Sequence, residues 1–246
     1  MTIRSQRFVL TESEQAGAAW FSSALRKKFI SFEGPEGAGK STQARALAQR
    51  LRSFGLDVVL TREPGGTKTG EQIREILLSF TQDRLYETTE ALLMSAARAQ
   101  HVNEVIIPAL ASQKWVITDR YVDSTYAYQG FGRQIDRELL RDVQQLATGG
   151  ILPFTTFLLD VPVAEGLSRR LASPEAFNRL DVESRAFHER VRTGYHSLVR
   201  EAPERWVTID ASQDEASIAT EIWNVMLRRF GNMLPVAPDL VGGINE

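Results

Sequence analysis

The sequence predicts an α/β protein: a parallel sheet covered by helices on both faces. Three observations lead there. Short apolar runs of strand length recur along the chain, and longer helix-patterned segments separate them. A glycine-rich loop also joins the first such run to the first long helix. The 246 residues are enough for one domain with a full core.

The elements follow in chain order. Met1–Arg26 precedes the first strand, and Thr11 with Glu14 has capping-box spacing ahead of an amphipathic turn holding Ala18, Trp20 and Phe21. Strands are expected at Phe29–Phe32, Asp57–Leu60, Lys114–Thr118, Thr155–Asp160 and Trp206–Ile209. Helices are expected at Ser41–Phe54, Gly70–Phe80, Glu87–Ser112, Asp136–Thr148, Val163–Leu171, Ser184–Glu201 and Glu215–Phe230. Ser168–Ser184 is polar, contains Ser173-Pro174 and has arginines on both sides, which suits a basic lid over a bound anion. After Phe230 the run Met233-Leu234-Pro235-Val236-Ala237-Pro238 predicts irregular chain. The expected division is an extension at 1–26, one domain at 27–231 with its lid at about 168–184, and a tail at 232–246.

Composition excludes several classes. A net charge of −2 gives no global basic field for holding nucleic acid. With no cysteine there is neither a disulfide nor a thiolate metal site, and three histidines do not support a His-based zinc site. No apolar stretch has the length of a membrane span, and the first 26 residues lack the apolar core of a signal peptide. The expectation is a cytoplasmic enzyme without a membrane partner.

The loop Gly34-Pro35-Glu36-Gly37-Ala38-Gly39-Lys40-Ser41, with Thr42 opening the helix, has the phosphate-binding pattern in its strand-then-helix context. Glycines let backbone N–H groups converge on a polyphosphate, and the helix points its positive end at the anion. Lys40 is placed to reach the β- and γ-phosphates, and Ser41 to bind Mg²⁺. Asp119 closes the run Trp115–Thr118 as an acidic residue supporting Mg²⁺ would. Asp160, after Phe157-Leu158-Leu159, is its rival, and the neighbouring Arg120 favours Asp119.

Four further segments narrow the class: Thr61-Arg62-Glu63-Pro64-Gly65-Gly66-Thr67, Ser95-Ala96-Ala97-Arg98, Asp119-Arg120-Tyr121 and Asn178-Arg179-Leu180-Asp181, with Ala127-Tyr128-Gln129-Gly130 after the third. In this order and spacing the chain resembles the thymidylate kinases from about Lys28 to about Phe230. The resemblance implies a P-loop NTPase fold with a doubly wound five-stranded parallel sheet, surrounding helices and a mobile lid. It implies transfer of the γ-phosphoryl of MgATP to dTMP, giving dTDP and ADP, in a homodimer. It is the bacterial variety that is matched: the loop has no cation before Lys40, and the lid stretch holds Arg169, Arg170 and Arg179.

Residue by residue, the resemblance makes Arg120 and Arg74 ligands of the acceptor phosphate and gives Arg98 a hydrogen bond to thymine O4. Met94 stands one turn before Arg98, where the family usually has phenylalanine on the base. Thr125, Tyr128 and Gln129 share a helix face; in the family, residues here bind the base edge and crowd the sugar, with Tyr128 placed against a ribose 2′-OH. Glu36 resembles a carboxylate that meets the acceptor 3′-OH. Arg179, in the lid motif, acts with Lys40 and Arg120 in catalysis. The physics agrees, because a monophosphate is already largely dianionic and phosphoryl transfer is mostly positioning and electrostatics. Three other readings compete, one of them a catalytically dead relative with a scaffolding role, against which an intact Lys40, Ser41, Asp119 and Arg120 stand. A deoxynucleoside kinase would use Glu63 as base for a hydroxyl acceptor, but would not call for so many arginines. A nucleotide-driven switch would need a water-positioning residue and a partner surface.

Overall fold

The computed structural model describes residues 23–80, 84–172 and 178–235. Five strands form one sheet: β1 (Phe29–Glu33), β2 (Val58–Arg62), β3 (Trp115–Asp119), β4 (Thr155–Asp160) and β5 (Trp206–Asp210). The order is β2-β3-β1-β4-β5 and every pairing is parallel. The Thr11–Phe21 expectation and the centre of the lid stretch, with Ser173-Pro174, lie outside the described residues.

Helices provide each crossover: α1 (Lys40–Ser53), α2 (Lys68–Leu78), α3 (Glu87–His101), α4 (Val122–Thr125), α5 (Arg137–Thr148), α6 (Val163–Leu171), α7 (Arg185–Glu201) and α8 (Glu215–Phe230). Local chemistry explains their starts. Thr67 accepts from the Gly70 N–H, so α2 begins earlier than its apolar pattern suggests. Asp136, Ser184 and Asp214 cap α5, α7 and α8 in the same way.

Two expectations are corrected. Glu87–Ser112 is not one continuous α-helix: α3 passes into a π-helical stretch, Val102–Ile106, before a last α turn, Ile107–Ala111. Pro108 has no N–H to return to the Glu104 carbonyl, so the hydrogen-bond register shifts there. After β3, α4 likewise continues as a π-helix over Tyr126–Gly132.

The sheet buries both faces. Ile30 and Phe32 of β1 pack with Phe157 and Leu159 of β4 against Ala44, Leu47 and Leu51 of α1 and Ile222, Met226 and Phe230 of α8. On the other face Phe29 meets Val102, Ile106 and Leu110, while Leu158 packs with Phe187, Val191 and Tyr195. Strands buried on both sides are mostly apolar, and β1 is fully buried along its length, its polar Ser31 and Glu33 both hydrogen-bonded. Because β1 lies between β3 and β4, the loop after it opens at the point where the strand order reverses, which is where such sheets bind ligands.

Candidate active site

At the carboxyl ends of the strands lies a cleft of about 980 Å³. Its floor is the loop between β1 and α1. Gly34 has φ +141, and a Cβ there would stand 2.2 Å from the Leu159 carbonyl oxygen; at Gly37, with φ +70, it would stand 2.0 Å from the Gly166 oxygen. The loop is seated against β4 and α6 so closely that only glycine fits. Glu36, Gly37, Gly39, Lys40, Ser41 and Thr42 line the cleft. Gly34, Pro35 and Ala38 support it from behind: Ala38 is in the core, and the Pro35 carbonyl accepts from Lys40 Nζ at 2.7 Å.

Lys40 is only 7% exposed. Burial, reinforced by the Arg120 charge, pulls its ammonium down to a pKa of about 8, against the support of Glu36, Asp119 and Glu33. Ser41 Oγ donates to Asp119 Oδ2. The other Asp119 oxygen, Oδ1, is buried without a hydrogen-bond partner. Its rival Asp160 is taken up elsewhere, receiving two bonds of 2.8 Å from Arg192 and facing His196 Nε2 at 3.3 Å.

All eight residues expected around the acceptor line the cleft: Glu36, Arg74, Met94, Arg98, Arg120, Thr125, Tyr128 and Gln129. Arg120 follows β3 with a left-handed backbone, φ +70, a strained conformation of the kind that gathers at functional sites. Its Nη2 donates to Glu36 Oε1 at 2.7 Å and to the Tyr128 hydroxyl at 3.0 Å. Burial alone would raise the Glu36 pKa; Arg120, Lys40 and the Tyr128 hydroxyl outweigh it and bring the pKa to about 2. The expected 3′-OH contact and the expected phosphate ligand are thus one ion pair facing the cleft. Arg74 Nη1 donates to the Pro64 carbonyl at 3.0 Å.

Arg98 is 1% exposed. Its Nε donates to Glu63, its Nη1 to Thr125 and Gln144, and its Nη2 to the Tyr121 carbonyl. One of its five N–H groups, on Nη2, therefore remains for a ligand. Glu63 is held in turn by His101 Nδ1 at 2.8 Å, and His101 Nε2 meets Thr61 Oγ1 at 2.7 Å. Glu63 is an orienting group for Arg98, with its two oxygens engaged.

Arg179 is expected at the cleft and does not line it. Its guanidinium binds buried Glu90 and the Leu77 carbonyl, tying the far end of the lid stretch to α2 and α3. Arg169 and Arg170 line the cleft instead, and Arg170 donates to Asp181 at 3.0 Å while contributing to the field at Glu36. Sequence reasoning missed Glu90, which also binds Gln129 and Arg133 and so orients the Gln129 amide. It also missed Glu33, Ser124 and Tyr195 beside Arg120. A glutamate directly continuing an apolar strand into the phosphate loop was the available signal for Glu33.

Residues 32–222 match the family model described as thymidylate kinase. The chain is 52% identical over 195 residues to the thymidylate kinase of Thermomicrobium roseum, covering 79% of this chain and 92% of that protein. It is 48% identical over 206 residues to that of Geobacter sulfurreducens, covering 82% and 97%. The crystal structure of thymidylate kinase from Ehrlichia chaffeensis superposes with a TM-score of 0.65 at 35% identity, over 80% of this chain and 97% of that one.

Proposed function

The chain belongs to the thymidylate kinase family, and on that premise we propose how its cleft moves a phosphoryl group from ATP to dTMP, giving dTDP and ADP for dTTP supply. The observation that carries the residue assignment is the convergence of Arg74, Arg98 and Arg120 on a cleft whose floor is the Lys40 loop. A donor triphosphate and an acceptor monophosphate repel strongly, so the protein's task is to hold both and spread the charge of the transferring group. Lys40 and the first-turn N–H groups of α1 bind the donor phosphates. Arg120 and Arg74 grip the acceptor phosphate, which guanidinium forks suit. The uncommitted Arg98 N–H faces a carbonyl at the base position and would meet an amino donor there in cytosine. Tyr128 stands against a 2′-hydroxyl, and Met94 lies along the base. From the lid, Arg170 takes the role expected of Arg179, which we assign to bracing Glu90 and Gln129.

The residues present fit Mg²⁺. Ser41 and the unpartnered Asp119 Oδ1 offer a hydroxyl and a buried carboxylate oxygen beside the phosphate loop, the sparse protein set of a cation that shares its shell with phosphates and water. When bound, the ion neutralises charge on the β- and γ-phosphate oxygens. We further propose a homodimer in the cytoplasm, as the family resemblance implies. Among the described residues no helix is long and apolar enough to cross a membrane.

The test is an ADP-release assay with MgATP across dTMP, dUMP, dCMP and thymidine. Preference for dTMP is expected. Thymidine as the better acceptor would overturn the reading in favour of a nucleoside kinase, and ATP hydrolysis without any acceptor would favour a switch.

A further inference from the structure

Resting on the reading of Arg120 as the acceptor-phosphate ligand, we propose that Glu33, Ser124 and Tyr195 form a brace that positions the Arg120 guanidinium for the acceptor. None of the three is needed to explain the cleft floor or the base site, and they come from three elements, β1, α4 and α7.

The brace acts on both ends of Arg120. At the backbone, the residue must be kept left-handed. The Arg120 N–H donates to the Phe32 carbonyl at 2.9 Å, and Thr118 Oγ1 donates to the Arg120 carbonyl at 2.8 Å. The next N–H, of Tyr121, donates to Glu33 Oε1 at 2.7 Å. At the side chain, the two protons of Nη1 are shared among Ser124 Oγ at 3.2 Å, the Tyr195 hydroxyl at 3.3 Å and the Gly34 carbonyl at 3.3 Å. Those hydroxyls donate their own protons to Glu33 Oε2, at 2.6 and 2.9 Å. A hydroxyl has one proton, so its commitment to Glu33 turns a lone pair toward Arg120. The result is a polarised chain from guanidinium through hydroxyl to carboxylate, in which each bond strengthens the next. Glu36 fixes Nη2 and the brace fixes Nη1. A bidentate phosphate ligand needs its plane set in this way.

Glu33 is fully buried. Burial and the facing carboxylate of Asp123 on α4 push its pKa to about 7, opposed by the Ser124 hydroxyl, Arg120 and the Tyr121 N–H. Tyr195 on α7, Lys40 on α1 and Arg205 ahead of β5 complete the groups that feel its charge. A buried carboxyl that costly is retained for the chain of acceptors it completes. Protonation removes one of its acceptor positions and loosens Nη1.

The experiment is steady-state kinetics with dTMP varied at saturating MgATP. Ser124→Ala and Tyr195→Phe should each raise the KM for dTMP about threefold and together about tenfold, with the KM for ATP unmoved. Ser124→Thr keeps the hydroxyl and should restore the wild-type value. In the wild type, the KM for dTMP should fall between pH 6.5 and 8; Glu33→Gln should flatten that change to what the substrate's own ionisation near pH 6 leaves. Arg120→Ala is the control. Near-normal KM for dTMP in Arg120→Ala overturns the ligand reading itself. A large defect in Arg120→Ala with wild-type KM in Ser124→Ala/Tyr195→Phe overturns the brace alone, as does a lowered Tm with no change in KM. Should Glu33→Gln fail to fold, the two hydroxyl variants decide the matter.

Discussion

Alkaline pH should disarm ATP capture through Lys40 well before a lysine in water would titrate. The ammonium is 7% exposed and shares the cleft with Arg120, which together bring its pKa to about 8. A free lysine titrates near 10.4. Because the shift is downward, the useful cation is nearly complete about a unit below pH 8 and is lost as pH rises through it. About half of the free enzyme should carry it at pH 8 and about a tenth at pH 9, so kcat/KM for ATP should fall roughly tenfold per unit beyond that. Bound polyphosphate favours the cation, so kcat at saturating ATP should stay level further into the alkaline range. Glu36 supports the Lys40 charge, and Glu36→Gln should move the alkaline limb down by roughly one unit. An ADP-release assay over pH 6.5–10 with ATP as the varied substrate measures both limbs. A wild-type limb near 10, or a limb that Glu36→Gln leaves in place, would refute the electrostatic account of the loop.

The remaining predictions use the same assay with a thermal melt beside it. Arg170→Ala should lower kcat at least tenfold, since its loss removes positive charge from the cleft, and should also lower Tm, since buried Asp181 loses a charged partner; unchanged kcat would take the lid out of the mechanism. Arg179→Ala should cost about 1–3 kcal/mol of stability, because buried Glu90 loses a charged partner, and lower Tm by several degrees. Asp119→Asn should fold normally and raise the Mg²⁺ concentration needed for half-maximal rate by about 10–100-fold; an unchanged Mg²⁺ requirement would exclude Asp119. Arg98→Met should narrow the preference for dTMP over dCMP by about 1–3 kcal/mol and also lower Tm, since Glu63 is left buried with a charge its partner no longer answers.

The sheet was legible because its three central strands are apolar enough to be buried on both faces and its two edge strands keep short apolar runs, and the strand ends shifted by only one or two residues. Thr155–Asp160, Val163–Leu171 and Glu215–Phe230 appear with the bounds expected. The two π-helical stretches were not legible as such, since periodicity over a few residues does not separate i→i+4 from i→i+5 bonding. Among the cleft-lining cations Lys40, Arg98 and Arg120 were visible because each sits in a motif, while Arg74 was reached only through the resemblance and Arg45 not at all. The carboxylates that orient them were less so. Glu90 reads as an ordinary first-turn helix residue and Glu33 as a strand end, yet both are fully buried. Their partners are 39 to 162 residues away in sequence, and only the fold brings them together.

That pattern has a physical reason. Without nucleotides, Lys40, Arg74, Arg120 and Arg170 would repel one another across a small cleft and drift toward water. In this structure Glu36 answers Arg120, Asp181 answers Arg170, and Glu63 answers Arg98. Each carboxylate holds its partner's guanidinium in place beside the cleft. The cations are thereby oriented before substrate arrives, and little reorganisation is left for the moment of transfer. The arrangement also explains why neutralising one carboxylate should damage catalysis beyond the loss of that residue's own contact: Glu36→Gln removes the counter-charge of Arg120 and Lys40 together, and leaves two cations to repel one another beside the cleft.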